Sequence, residues 1–572
     1  MPLTAAQHSA IHNHDENLIV VAGAGSGKTF VLVERYLALL ERHPEWALNS
    51  LVAITFTQKA AQEMRDRVRV HLQRQVDQSE GEAADRWATR LAAMDSARID
   101  TIHGLCASIL RGNAAEAGVD PGFEVLDEIE AGVLLDDALD DVFRALTADD
   151  PVLELFAEYG EQNVKRVTKQ TAILPELQPQ TDDLFTEWLV QWVADSHSAI
   201  GRFGAFLKSS NPFNPVGVDA LSDRWRVVSE VLGWFQQQAE QTEQVTLNDY
   251  LNQLLTVASL TVPGKVHRDW GDFAEESKGE FTAIRDFAKK TRDEIGDPPG
   301  EPDKRAAYLL PLWIALAAKV RAAYRLAKDE HGALDFDDLE GLTCDLFQDD
   351  AVRARYLNVA GAGEFKHVLV DEFQDTNAAQ WAIIRRLADP DQPGCLFVVG
   401  DPKQSIYGFR GADVSVFEQV KGVITAQGVT VDLDRSFRTH RRLVDCLNGL
   451  FEQILTQDAN SLAREYEVVF GGGMQAERVQ APSDEPVLEL LLLDKEQLKT
   501  SGFDEETTMR EWEAQALAAR IKALVEVERR LIFDKNAQVI RPMGYGDVAL
   551  LFQAMTHVTL YEAALKAEGI PY

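Results

Sequence analysis

The stretch Asn17–Thr29, NLIVVAGAGSGKT, constrains this 572-residue chain more than any other. An apolar run, Leu18–Val21, meets a glycine-rich turn ending in Gly27-Lys28-Thr29, and the helical pattern FVLVERYLALLE follows. Strand, tight loop and helix in that order belong to a parallel α/β sheet, with the loop at the strand's carboxyl end. Glycines let consecutive backbone N–H groups point inward as an anion nest, and the helix N-terminus adds its positive dipole end. In such a cradle, here Ala22, Gly23, Ala24, Gly25, Ser26 and Gly27, the following Lys28 reaches the β- and γ-phosphates and the Thr29 hydroxyl holds Mg²⁺. The usual pattern has a glycine five residues before Gly27, where this chain carries Ala22; Gly23 and Gly25 are expected to keep the turn. The expected ligand is a nucleoside triphosphate.

The chain is long enough for roughly three to four domains. Short apolar runs alternate with helical stretches through the first hundred or so residues: SLVAITF as a second strand, QKAAQEMRDRVRVHLQRQ as a helix, Arg98–Ile102 as a third strand and GLCASILRGNAAEAG as a helix. From about Asp127 to Glu330 helical periodicity takes over, in DEIEAGVLLDDALDDVFRAL, DDLFTEWLVQWVADSHSAIGRF, DRWRVVSEVLGWFQQQAEQ and LLPLWIALAAKVRAAYRLAKDEHG. Trp188, Trp192, Trp225, Trp234 and Trp313 fall there at helical spacings and read as core. SLTVPGKVHRDWGDFAEESKGE reads as an exposed loop. Strands return in HVLVDEF, CLFVVGD, VTVDLDRSF, PVLELLLLD and DVALLFQ. The expected architecture is one α/β domain (1–120 and 331–432) split by an all-helical insertion (121–330), with a second α/β domain beginning at 433 and running to 572.

The net charge of −35 argues against a nucleic-acid binder if taken alone, yet affinity depends on a local groove, and Lys59, Arg65, Arg67 and Arg69 concentrate positive charge. Four dispersed cysteines suggest neither a zinc site nor a disulfide framework and favour the cytoplasm. No run approaches the roughly 18 apolar residues of a membrane span, so no membrane partner is expected.

Two further strand ends carry chemistry. HVLVDEFQDT delivers Asp371 and Glu372, one carboxylate to hold Mg²⁺ and one to orient and deprotonate an attacking water. GDPKQSIYGFRGAD follows the next strand, where the neutral Gln404 is placed to sense the γ-phosphate. Tyr407, Phe409 and Arg410 there offer aromatic faces and a cation for gripping single strands. After the second strand come Thr55, Phe56 and Thr57, with Lys59 and Arg65 on the next helix, a set suited to a nucleic-acid backbone and its bases. His8, His12 and His14 read as a surface helix, and Asp335, Asp337 and Asp338 as a structural or coupling turn.

The segments LTAAQ (Leu3–Gln7), AGAGSGKT (Ala22–Thr29), ITFTQKAAQEMRDR, TIHGLCASILR, LDFDDLE, VDEFQDTNAAQW, VGDPKQSIYGFRGAD and LDRSFRT occur in this order. Together they resemble the motif series of superfamily 1 helicases of the UvrD/Rep type, and the wording GDPKQSIYGFRGAD is closer to the RecB/AddA branch. The resemblance implies a P-loop, RecA-like parallel-sheet motor domain split by the helical insertion, followed by the incomplete start of a second RecA-like domain. It implies ATP and Mg²⁺ as cofactors. By matching position, Gln7 would read the adenine edge and Phe437 would stack on it. Lys28, Thr29 and Asp371 would hold phosphates and Mg²⁺, Glu372 would activate water, and Gln404 and Arg438 would contact the γ-phosphate. Thr57, Thr101, His103, Tyr407, Phe409 and Arg410 would face DNA or couple DNA to ATP. The function implied is a 3′-to-5′ DNA helicase or translocase in repair or recombination. Its partners would be single-stranded DNA or single/double-strand junctions, together with a nuclease or accessory helicase subunit. The second reading is a nucleotide-controlled DNA-binding or assembly subunit without motor activity, because the later motifs of such motors have no counterpart before Tyr572.

Overall fold

The computed structural model describes residues 3–173, 183–210, 219–238, 246–264, 268–357, 363–408, 411–456, 468–479, 481–483, 485–494, 509–534 and 537–572. Phe409 and Arg410 lie outside the described residues. The chain divides into two compact units, Met1–Val125 with Leu334–Tyr572, and Leu126–Ala333.

The first unit is built on six parallel strands: β1 (Leu18–Ala22), β2 (Leu51–Thr55), β3 (Arg98–Thr101), β4 (His367–Val370), β5 (Leu396–Gly400) and β6 (Val429–Leu433). Their order across the sheet is β3-β2-β4-β5-β1-β6. β1, β2, β4 and β5 are apolar almost throughout because helices cover both faces, whereas the two outer strands carry Arg98 and Asp100 in β3 and Thr430 and Asp432 in β6. Ile19, Ile54, Val368, Val370 and Val398 enter one core with Leu105, Ile109, Ile383, Phe417 and Val420 of the helices Ile102–Gly112, Ala378–Leu387 and Val414–Gln427. Leu18, Val20, Ala53, Leu369, Phe397 and Val399 enter the other with Leu32, Tyr36, Met64, Val68 and Leu72 of the helices Lys28–Arg42 and Gln58–Gln78. The register Val20↔Val399 and Leu369↔Phe397 sets β4, β5 and β1 side by side. The loops that leave their carboxyl ends therefore share one edge of the sheet, where open α/β sheets bind ligands.

The second unit is helical, with long helices Glu128–Ala145, Leu184–Ser209, Ala220–Gln238, Leu247–Ala258, Ala274–Ile295 and Glu301–His331. Trp225 is fully buried beside Phe203, Phe281 and Ile284, and Trp192, Trp234 and Trp313 are half-buried against cores, whereas Trp188 is half-buried outside them. The expected exposed loop is shorter than its sequence: Trp270 is buried, and Ala274 opens a helix whose faces Phe281, Ile284 and Ala288 repeat at helical spacing. Contrary to expectation, one helix, Glu301–His331, is long and apolar enough to cross a membrane. Its residues Leu309, Leu316, Val320 and Tyr324 lie in the unit's own apolar cores.

Past β6, Arg435–His440 pairs in parallel with Gln475–Arg478, and Leu531–Asp534 pairs antiparallel with Val539–Pro542. Two expected strands, Pro486–Asp494 and Asp547–Gln553, are not strands. Leu490 is 80% and Leu551 95% exposed, whereas Val548, Leu550 and Phe552 pack on a small core of Ala518, Ile521 and Tyr561. A strand requires a hydrogen-bonding neighbour as well as apolar side chains, and neither segment has a ladder partner among the described residues.

Candidate functional site

The loop after β1 turns on two glycines. Gly25 has φ +76° and Gly27 has φ +91°, values that L side chains adopt at a cost. Ala22 is the buried last residue of β1, an ordinary strand position, which is why the missing motif glycine leaves the turn intact. Ser26 closes the turn from within, its hydroxyl donating to the Gly23 carbonyl at 2.8 Å. Lys28 is the first residue of its helix, so the exposed end of the helix dipole and the ammonium share one place. Gln7 sits against this loop. Its Nε2 donates to the Ser26 carbonyl at 3.2 Å, and its Oε1 accepts from the Thr4 amide at 3.2 Å as half of a capping box. Thr29 is half-buried on the first turn of the same helix.

Lys28 spans from β1 to the ends of β4 and β5. Its Nζ donates to Glu372 Oε2 at 2.7 Å and to Gln404 Oε1 at 3.3 Å. Glu372 is held in the left-handed region at φ 47°, ψ 44°. Such strain in a non-glycine residue persists only where surroundings enforce it, and it concentrates at functional sites. Asp371 hangs from β2 by its amide, which donates to the Ile54 carbonyl at 2.9 Å. Burial and then the neighbouring Glu372 push the Asp371 carboxyl up to about 7, against the pull of Lys28. A divalent cation would relieve the repulsion between these two adjacent carboxyls, so the chemistry of Asp371 fits Mg²⁺.

A supporting layer went unassigned at the level of sequence. Gln374 Nε2 donates to Glu372 Oε2 at 2.9 Å and to Asp375 Oδ2 at 3.1 Å, while its Oε1 accepts from the Asp401 amide at 2.9 Å. Only glycine fits at 400, since a Cβ there would stand 2.5 Å from Gln374 Oε1. Asp401 in turn takes Gln404 Nε2 at 2.7 Å, which fixes the amide that faces Lys28. Burial and the Glu372 charge push Asp375 up to about 6. These residues lie inside the motifs that carry the site, and their signal was a run of polar side chains too dense for a plain turn.

The strand Arg435–His440 lies on the glycine loop. Phe437 N donates to the Gly25 carbonyl at 2.9 Å, and Ser436 Oγ donates to the Ala24 carbonyl at 3.2 Å. A Cβ on Gly25 would come within 2.6 Å of Arg438 Cβ. Arg438 is exposed and Phe437 half-buried beside the loop.

A second group occupies the ends of β2 and β3. Thr55 Oγ1 donates to the Thr57 carbonyl at 3.1 Å, and Thr57 caps the helix Gln58–Gln78. Thr101 caps the helix Ile102–Gly112 and accepts from Gln58 Nε2 at 3.2 Å. The Phe56 and Tyr407 rings meet at 4.6 Å, joining the β2 loop to the β5 loop. Lys59 and Arg67 are exposed, whereas Arg65 faces Asp100 at 3.4 Å and Arg69 faces Asp95 at 3.7 Å. His103 follows on the first turn of the helix Ile102–Gly112, its Nε2 donating to Glu340 at 3.0 Å. His14 is buried on the Ile11 carbonyl, and Asp335 caps the helix Phe336–Leu346. No group of three metal-ligating His, Cys, Asp or Glu side chains occurs among the described residues.

The model of the UvrD/REP helicase N-terminal domain matches residues 3–424. An ATP-dependent helicase/nuclease protein of Oceanobacillus iheyensis, named as one subunit of that enzyme, is 27% identical over 99% of this chain and 49% of its own length. The proteins of the same name from Desulforamulus reducens and Lachnoclostridium phytofermentans are each 28% identical over 99% of this chain, covering 50% and 46% of their own lengths. The chain thus spans about half the length of the curated relatives it matches.

Proposed function

The chain belongs to the UvrD/REP helicase N-terminal domain family, and from that premise we propose that it is an ATP-dependent DNA helicase or translocase acting in repair or recombination. The observation that carries the ATPase reading is Glu372, strained into the left-handed region with its carboxylate 2.7 Å from the Lys28 ammonium. In this reading the Gly23–Gly27 loop and Lys28 hold the β- and γ-phosphates, Gln7 and Phe437 hold the base, and Glu372 takes the proton from the attacking water. Gln404 and Arg438 contact the γ-phosphate from two directions. Mg²⁺ held by Asp371 and Thr29 would neutralise charge developing on the phosphate oxygens. The group at the ends of β2 and β3, with Tyr407, Phe409 and Arg410, contacts DNA. Movement along single strands runs 3′ to 5′, a direction that rests on family resemblance alone.

The relatives' name describes one component of a helicase/nuclease, which supports a partner subunit bearing nuclease or accessory helicase activity, and duplex ends or single/double-strand junctions as DNA. The DNA substrate and four free cysteines support a cytoplasmic setting. One observation favours the second reading, a nucleotide-controlled DNA-binding or assembly subunit: past Leu433, the strands among the described residues form only two-stranded pairs. Replacing Glu372 by Gln separates binding from chemistry. The expected outcome is retained ATP binding with turnover lowered by about 10²-fold or more; turnover near the unsubstituted rate would remove Glu372 from its role.

A further inference from the structure

Glu340 is a buried carboxylate that the reading above leaves unused. It lies on the helix Phe336–Leu346, is 7% exposed, and takes three side-chain donors from two other helices. Oε1 accepts from His103 Nε2 at 3.0 Å and from Gln380 Nε2 at 2.7 Å, and Oε2 accepts from Asn377 Nδ2 at 3.1 Å. Phe336, one turn earlier on the same helix, stacks on the His103 ring at 4.2 Å and 12°, which fixes the ring plane. Burial pushes the Glu340 carboxyl up, but the hydrogen bonds from His103, Gln380 and Asn377 outweigh it and hold the group below its ordinary range.

A buried charge is expensive to desolvate, and an apolar side chain of similar volume often stabilises as well or better. What the carboxylate adds here is fixed geometry between its donors. His103 is the second residue of the helix that starts at the Thr101 cap, at the end of β3. Asn377 caps the helix Ala378–Leu387, which starts where the Asp371–Thr376 segment ends. Two or three residues along the backbone on each side lie further hydrogen-bonded groups. Thr101 accepts from Gln58 beside Thr57, and Gln374 bonds both Glu372 and Asp375. We infer that Glu340 is a positioning residue that ties the β2–β3 edge to the Glu372 segment, so that nucleic acid bound at that edge sets the rate of ATP cleavage. The inference rests on the reading of this site as a DNA-stimulated ATPase.

The test measures ATP turnover by the full chain with and without an oligothymidine single strand, and affinity for that strand by fluorescence anisotropy, in Glu340→Gln and Asn377→Ser. Serine at 377 keeps a cap oxygen for the helix but has no amide to donate to Glu340. The expected result is a loss of about fivefold or more in DNA-stimulated turnover for each variant, with DNA-free turnover and strand affinity held within about twofold. The double variant is expected to lose no more than the worse single one, as members of one network do. Unchanged stimulation in both variants would overturn the inference, as would a parallel fall of stimulated and unstimulated rates with a lower melting midpoint, the mark of a scaffold residue. If Glu340→Gln does not fold, Asn377→Ser decides alone. An unsubstituted chain whose turnover ignores the strand would instead overturn the underlying reading of the site.

Discussion

At the scale of single residues, the site depends on backbone conformations as much as on functional groups. Gly25 has positive φ and faces Arg438 and Ser436 at a separation that leaves no space for a methyl group. Gly25→Ala would cost about 1–2 kcal/mol in backbone strain and displace the strand Arg435–His440 as well. The expected outcome is at least about a fivefold loss of ATP affinity, read with a fluorescent nucleotide, at nearly unchanged helix content. Lys28, Asp371, Glu372 and Gln404 were legible because each stands in a short local pattern whose chemistry dictates residue type. Gln374 and Asp401 stood in the same patterns yet were passed over, since their work is to hold other side chains. Glu340 was beyond sequence reasoning: its partner His103 lies 237 residues away, and nothing local distinguishes it from the acidic turn around it.

Among the elements, β1, β2, β4 and β5 are legible because burial on both faces makes them short apolar runs, and all six strands overlap segments that read as strands. The same criterion misread Pro486–Asp494, because apolarity alone does not supply a neighbouring strand. A polar cluster threads the sheet's core. Arg35 is fully buried, donates to the Ala10 and Asn13 carbonyls at 2.8 and 2.7 Å, and lies 3.4 Å from His367. Burial and then the Arg35 charge lower His14 to about 4 and His367 well below its ordinary value. Both imidazoles are therefore neutral when folded and take up protons only on unfolding. Their contribution is present above pH about 6.5 and is lost as pH falls towards about 4, a loss of roughly 3 kcal/mol from His14 alone. Urea unfolding of the nucleotide-free protein across that range should show stability falling with pH, with a shallower slope in His14→Phe. An equal slope in the variant would exclude His14 as a source.

At the scale of the whole molecule, the acidic balance and the motif set pull in opposite directions, and the local arrangement decides between them. The net charge of −35 coexists with exposed Lys59 and Arg67 on the helix that Thr57 caps. The helical unit Leu126–Ala333 keeps its cores to itself, as Phe203, Trp225 and Phe281 illustrate, so it interrupts the chain between β3 and β4 without interrupting the sheet. In the function proposed above, the joined ends of β1, β4 and β5 form an ATPase governed by DNA. The most direct test is ATP hydrolysis by the full chain with and without single-stranded DNA, beside Lys28→Ala. Turnover is expected to rise with DNA and to fall by about 10²-fold or more in Lys28→Ala, as for an electrostatic group at the transferred phosphate. Turnover that persists in Lys28→Ala, or that is indifferent to DNA in the unsubstituted chain, would contradict that function.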